Sequence, residues 1–148
     1  MTEIVRRAMP ADLDSLVTLG SAEPAFGVSP QIRFYEREEL TEWIGDPRDN
    51  LLLVLDDAGE IEGFFFCKCM SRHWAYLDNF YVRPSSRGHG YGRLLMQALF
   101  DLLREKGIVY LSTLVAGSDP FLAGYFGTCG FVTEKTYLWQ ERFTGRAI

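Results

Sequence analysis

The stretch Val82-Arg83-Pro84-Ser85-Ser86-Arg87-Gly88-His89-Gly90-Tyr91-Gly92-Arg93-Leu94-Leu95 constrains this chain more than any other. It follows an apolar, aromatic run, Tyr76-Leu-Asp-Asn-Phe-Tyr-Val82, whose composition predicts a strand. It opens an amphipathic helix that runs to about Lys106, with Leu94, Leu95, Ala98, Leu99, Leu102 and Leu103 on one face. Between strand and helix three glycines, Gly88, Gly90 and Gly92, recur at every second position. Closely spaced glycines let backbone N–H groups turn toward one point without interference from Cβ. A helix start adds unpaired N–H donors and the positive end of the macrodipole. Together these form a seat for phosphate, and Arg87 and Arg93 bring charge beside it.

Several architectures share such a loop. The plainest is a glycine-rich turn that does nothing but cap a helix. A dinucleotide fold wants Gly-x-Gly-x-x-Gly after its first strand, with an acidic residue about 20 positions on. Here the loop lies past mid-chain, and the next strand, near Ile108 to Val115, runs into Ala-Gly-Ser. A nucleotide P-loop is excluded, because no Gly-Lys-Ser/Thr follows the glycines.

The length of 148 residues suits one domain with one sizeable core, and 47% apolar with 24% charged residues is the composition of a globular protein. No apolar run is long enough for a membrane span, since Gly63-Phe-Phe-Phe-Cys67 stops at Lys68. The N-terminus carries no apolar signal core, so a cytoplasmic location is expected. A net charge of −5 argues against a nucleic-acid partner and is compatible with a cationic substrate. Cys67, Cys69 and Cys129 make an odd count with no His cluster or second Cys pair, so neither a zinc site nor any other metal is expected. No His or Asp near Cys129 in sequence suggests a nucleophilic dyad.

Periodicity predicts a strand over Ile4 to Ala8 and a first helix from Pro10-Ala-Asp12. An irregular segment from Ser21 to Gln31 leads to a second helix near Ile32 to Ile44. That helix places Phe34, Leu40, Trp43 and Ile44 inside and Glu36, Glu38, Glu39 and Glu42 outside. An antiparallel meander follows: Leu51 to Leu55, a turn at Asp56-Asp-Ala-Gly59, Ile61 to Met70, then Ala75 to Val82. After the glycine-loop helix and the Ile108 to Val115 strand, Asp119-Pro120 starts a last helix ending near Cys129. Phe131 to Phe143 is expected to supply one or two closing strands. The order predicts an α+β, or mixed α/β, sandwich.

A strand, then Val-x-Pro, then Arg87-x-x-Gly90-x-Gly92, then Leu-Leu on a helix resembles the acetyl-CoA loop of the GNAT N-acetyltransferase superfamily. The likeness extends along nearly the whole chain. Ile4 to Leu13 resembles that family's first strand and helix start, and Ala123-Gly-Tyr-Phe-Gly-Thr-Cys-Gly-Phe131 its late "Ala…Phe-Tyr…Gly-Phe" segment. Tyr76 to Val82 is similar to the acidic fourth strand of the diamine (polyamine) acetyltransferase branch. The resemblance implies a single domain over residues 1–148. It also implies a mostly antiparallel sheet flanked by helices, with strands 4 and 5 splayed around the cofactor.

The same resemblance implies roles. Arg87, Gly88, His89, Gly90, Tyr91, Gly92 and Arg93 would hold the pyrophosphate of acetyl-CoA, the co-substrate. Phe80, Tyr81 and Val82 would offer main-chain groups to the pantetheine arm, and one of their N–H groups would polarise the thioester carbonyl. Asp78 would be the base, because an alkylammonium must lose a proton before it attacks. A charged residue in so apolar a strand also needs a reason, and a structural hydrogen bond is the other one. The family's proton donor to the departing thiolate is often a Tyr four residues before the late Gly. Here that position is Phe126 and the tyrosine is Tyr125, so the usual order is reversed, and one residue on a helix is about 100°. Asp119 stands where the family often has an Asn that holds the pantetheine arm, and it is equally suited to capping the helix.

His89 sits at a position where a loop side chain faces solvent. His73, Trp74, Trp43, Tyr137 and Trp139 are candidates for lining the acceptor pocket, with core packing the competing role for each. The expected activity is transfer of an acetyl group to a primary amine on a small cationic molecule, an amino-acid-like compound or a peptide. A homodimer is compatible with the resemblance. A non-catalytic acyl-CoA-binding module is the alternative, and the displaced tyrosine is what favours it.

Overall fold

Five strands form one sheet in sequential order, β1 (Glu3–Arg7), β2 (Asn50–Asp57), β3 (Glu60–Cys69), β4 (Trp74–Val82) and β5 (Tyr110–Thr113). This architecture is seen in a computed structural model, which describes residues 2–145. The first three pairings are antiparallel and β4–β5 is parallel. Helices α1 (Leu13–Ser21) and α2 (Arg37–Gly45) lie between β1 and β2 in sequence, and α3 (Tyr91–Lys106) crosses from β4 to β5. A parallel pair needs such a crossover, whereas β2 and β3 need only the two-residue turn Ala58-Gly59, both at positive φ. The sheet and these three helices belong to one compact unit, Met1–Thr113. Helix α4 (Pro120–Thr128) belongs to a second, Leu114–Ile148.

Burial on both faces of the sheet explains the near-continuous apolar runs of β2 and β3. Leu52, Val54, Phe64, Phe66 and Tyr81 form one core cluster with Leu13, Leu16 and Leu40 of α1 and α2. The alternate residues Leu51, Leu53, Leu55, Phe65 and Cys67 are also buried, as are Leu95, Met96, Leu99 and Leu103 of α3, which packs against β2 and β3. Gly63 makes the close approach possible. A Cβ there would lie 2.6 Å from the Tyr81 carbonyl oxygen and 3.0 Å from Leu95 Cδ1.

Asp12 ends a short 3₁₀ turn, Pro10–Asp12, and is 6% exposed. Arg6 donates to both of its carboxylate oxygens, at 2.8 and 3.0 Å, and to Asp56 at 3.1 Å. Burial alone would raise the Asp12 pKa. The hydrogen bonds from Arg6 and from Met9 N–H outweigh it and hold the carboxyl below its ordinary value.

Two expectations are corrected. Helix α2 begins at Arg37 rather than near Ile32, because Glu36 N–H donates to Glu39 Oε1 at 3.0 Å, a cap that starts the helix after Tyr35. Ile32 instead closes a turn, its N–H bonded to Ser29 O at 3.2 Å. Phe131 to Phe143 carries no strand among the described residues. Apolar residues there alternate only in part, with Glu134 and Lys135 interrupting, and a strand is stable only through its ladder. No helix among the described residues is long and apolar enough to cross a membrane.

Candidate active site

The parallel ladder between β4 and β5 covers only Trp74↔Tyr110 to Leu77↔Thr113, where Thr113 Oγ1 donates to Leu77 O at 2.8 Å. β4 then continues from Asp78 to Val82. The strands thus share hydrogen bonds only along the first half of β4.

Beyond Val82 the chain makes one 3₁₀ turn, Pro84–Ser86, fastened to the start of β3. Arg83 N–H donates to Glu62 O at 2.8 Å, and Arg83 Nη2 donates to Ile61 O at 3.0 Å. The Glu62 carboxylate lies 3.4 Å from Arg83 Nε and accepts the Ser86 hydroxyl. The stem of the loop is therefore held before the glycines begin.

Gly88 and Gly90 have φ of +85° and +84°. A Cβ built on either would meet nothing within 4 Å. Space does not demand glycine here. The left-handed backbone does, at about 1–2 kcal/mol for any other L-residue. Alternating left-handed and ordinary backbone turns successive N–H groups into an anion-binding concavity. Gly90 is also the N-cap of α3, and the first intrahelical bond runs from Leu94 N–H to Gly90 O at 3.2 Å. That leaves the N–H groups of Tyr91, Gly92 and Arg93 with no acceptor inside the helix. These donors, on an exposed loop, fit the pyrophosphate of a coenzyme A.

Side chains around the loop have separate tasks. Arg87 Nε donates to Val82 O at 3.0 Å, which folds its guanidinium back over the end of β4. Arg93 is exposed on the first turn of α3. His89 is exposed, and its Nδ1 bonds to Ser86 O at 2.9 Å. The Tyr91 hydroxyl donates to Asp57 at 2.7 Å, which pushes its pKa up to about 12. The Tyr81 ring is buried, stacked on Phe64 at 5.2 Å, so its contribution to the site is confined to its main chain.

Asp78 occupies a β-bulge. Leu77 pairs with Cys67 and Phe80 with Phe65, and those two β3 residues share a face. Residues three apart on a regular strand point to opposite faces. The register shift between Phe66 and Cys67 resolves the conflict by leaving Asp78 as the extra residue of β4. The bulge switches the parity of the strand. Downstream of it Asn79 pairs with Phe66 and Tyr81 with Phe64, on the face covered by α1 and α2.

This switch brings in a residue the sequence reading assigned to a helix. Tyr35 donates its hydroxyl to Asp78 Oδ2 and accepts from Asn79 Nδ2 at 2.7 Å. Its ring is held by Phe34, Trp43 and Phe66, with centroids at 4.7, 4.8 and 5.4 Å. Burial, the Asp78 charge and the hydrogen bond to it all hold the phenol well above its usual pKa. The Glu36-x-x-Glu39 capping pattern was the one sequence signal that could have placed Tyr35 ahead of the helix.

In the second unit Asp119 caps α4, its Oδ1 accepting from Leu122 N–H at 3.0 Å. Phe126 is 4% exposed and packs on Phe131 at 5.1 Å. Tyr125 is half-buried on the same helix. Of the other acceptor-pocket candidates, Trp43 stacks on Phe66 at 4.3 Å, Trp74 Nε1 donates to Ser112 Oγ at 2.8 Å, and Trp139 Nε1 donates to Glu141 at 3.0 Å. Tyr137 lies under Lys135, and His73 lends its carbonyl to Tyr110 N–H at 3.0 Å. Burial pushes the Cys67 thiol up to about 12 and raises that of Cys69, so neither is a ready nucleophile. Among the described residues no group of three or more His, Cys, Asp or Glu is placed to hold a metal ion.

No curated protein matches the sequence. Solved structures do match in fold. Ard1 from Thermoplasma volcanium is 22% identical with a TM-score of 0.74, covering 91% of this chain and 86% of its own. The PaiA N-acetyltransferase of Thermoplasma acidophilum, in complex with coenzyme A, is 19% identical with a TM-score of 0.74, covering 93% and 94%. An aminoglycoside acetyltransferase from an uncultured soil metagenomic sample, in complex with sisomicin, is 15% identical with a TM-score of 0.78, covering 97% of both chains. The sequence model of the acetyltransferase (GNAT) family matches residues 18–131, from the first helix through the glycine loop to Phe131. A match of that extent decides the family: the chain belongs to the acetyltransferase (GNAT) family and is an acetyl-CoA-dependent N-acetyltransferase.

Proposed function

We propose that residues 1–148 form one catalytic domain that acetylates a primary amine on a small cationic molecule, in the manner of the diamine-acetyltransferase branch. The observation that carries this reading is the bulge on β4. It turns an exposed carboxylate, Asp78, out of an apolar strand four residues before that strand opens into the anion seat. Glu38 and Glu42 on the exposed side of α2 add negative charge suited to a cation. Aminoglycosides, the class of the sisomicin-bound relative, are likewise polycationic amines.

Acetyl-CoA supplies the acetyl group as a thioester. In the proposed reaction the loop from Arg87 to Arg93 binds the pyrophosphate, and the main chain from Phe80 to Val82, with Asp119, orients the pantetheine arm. Asp78 takes one proton from the ammonium, which frees the nitrogen lone pair. The new N–C bond forms as the C–S bond breaks, and a β4 N–H donates to the thioester oxygen as charge gathers there. The Tyr125 hydroxyl protonates the departing sulfur, the nitrogen's second proton passes through water to restore that hydroxyl, and Asp78 releases the proton it took. Net, one proton reaches solvent.

Thiol release from acetyl-CoA, measured with a panel of polyamines, aminoglycosides, amino acids and short peptides, tests this reading. Turnover with the polycationic small amines is expected to exceed that with peptides. Preference for a peptide would remove the acceptor class. A protein that binds coenzyme A but releases no thiol with any amine would be the non-catalytic module instead.

Tyr125→Phe is expected to lower kcat by about 10²-fold, within the range typical of a positioned acid. Phe126→Leu should act through stability, because that ring is buried against Phe131. Wild-type turnover in Tyr125→Phe, with cofactor still bound, would leave protonation of the sulfur to another group.

A further inference from the structure

We propose that Tyr35 is a positioning residue for the base: with Asn79, its hydroxyl fixes the Asp78 carboxylate so that one oxygen is held and the other is left for the substrate ammonium. The inference rests on the reading of Asp78 as the base. It is built from contacts that reading does not use.

The relay has a fixed direction. Asn79 Nδ2 can only donate, so the Tyr35 oxygen accepts from it and turns its own proton toward Asp78 Oδ2. The ring cannot swing away, because Phe34, Trp43 and Phe66 pack around it. Asp78 Oδ1 has no hydrogen-bond partner among the described residues and lies on an exposed residue. A bulge residue on its own is poorly constrained, since the extra position is not paired across the ladder. The tyrosine supplies the restraint that the ladder lacks.

Acid catalysis by Tyr35 is disfavoured by the same surroundings. Its phenol, next to a carboxylate and largely buried, is a weaker acid than an ordinary tyrosine. Tyr76 also faces this pair, and burial first and the Asp78 charge second raise its pKa. Tyr35 is therefore neutral wherever the enzyme works, and its hydroxyl remains a donor.

Tyr35→Phe removes the hydroxyl and keeps the ring. We expect kcat to fall by about ten- to a hundredfold, with an unchanged thermal shift on adding coenzyme A. The same substitution in an Asp78→Asn background should cost almost nothing further, because the two residues act as a unit. Asn79→Leu, which removes the other end of the relay, should lower kcat by a smaller factor.

A folded Tyr35→Phe protein with unchanged kcat would overturn the proposal. So would full additivity in the double variant, which would mark a general packing role. Undiminished activity in Asp78→Asn alone would be a different failure, that of the base assignment, and it is read on a different variant.

Discussion

Gly90→Val is expected to abolish the rise in melting temperature that coenzyme A produces, while the protein without cofactor stays folded. In the wild type, ligand at a hundredfold excess over its Kd adds about 2.7 kcal/mol to stability. For a chain of this size that corresponds to roughly 5–10 °C. Gly90 adopts φ +84° and caps α3, so it sets the direction of the donors on both its sides. Valine would be driven out of that region, and the nearby N–H groups would no longer converge. The cost to the fold is limited to about 1–2 kcal/mol of backbone strain, because a side chain there meets nothing within 4 Å. That is small against the roughly 5–15 kcal/mol of an ordinary domain. Differential scanning fluorimetry with and without millimolar coenzyme A measures both quantities. A variant that still shifts as far as the wild type would show that the loop is not the phosphate seat. A wild type that does not shift would remove the site altogether.

Asp78→Asn should lower kcat/KM at pH 7 by about 10²–10⁴-fold, with the loss shrinking as pH rises. The sign follows from the amine. With a pKa near 10, only about one amine in a thousand is unprotonated at pH 7, and each further unit of pH raises that fraction about tenfold. A variant without its base depends on that fraction, so the deficit should fall by up to about a hundredfold between pH 7 and pH 9. Asparagine has nearly the same shape and keeps an oxygen to accept the Tyr35 hydroxyl, which leaves the bulge and its aromatic support in place. pH–rate profiles of both proteins with one small amine decide the matter. A loss of equal size at every pH would make Asp78 a structural carboxylate.

Much of the fold, and the backbone of the proposed cofactor seat, was legible in the residues because local rules control them. Gly88 and Gly90 stand where the backbone must be left-handed, Gly107 closes α3 in the same conformation, and Asp119-Pro120 caps and starts α4. Ala58-Gly59 reverses the chain between β2 and β3. Each depends on a few adjacent positions, so spacing alone identifies them. Helix α2 was misread at its start because Ile32 and Phe34 extend its apolar pattern backward. The pattern does not distinguish a helical turn from an extended segment packed on the same core.

What tertiary structure alone decided is the parity of β4. Tyr76 to Val82 reads as one apolar strand, and nothing in its order says that Asp78 has no partner on β3. The bulge exists because Cys67 and Phe65 across the ladder face α3 while Phe64 and Phe66 face α1 and α2, and both cores must be filled. Satisfying both leaves one residue over, and the residue left over is the carboxylate. Tyr35, 43 residues away in sequence, reaches it through packing on Phe66 and Trp43. The proposed phosphate seat is written in neighbouring glycines. The proposed base and its support are assembled from distant segments whose meeting is set by core packing, and no local pattern in the sequence records that.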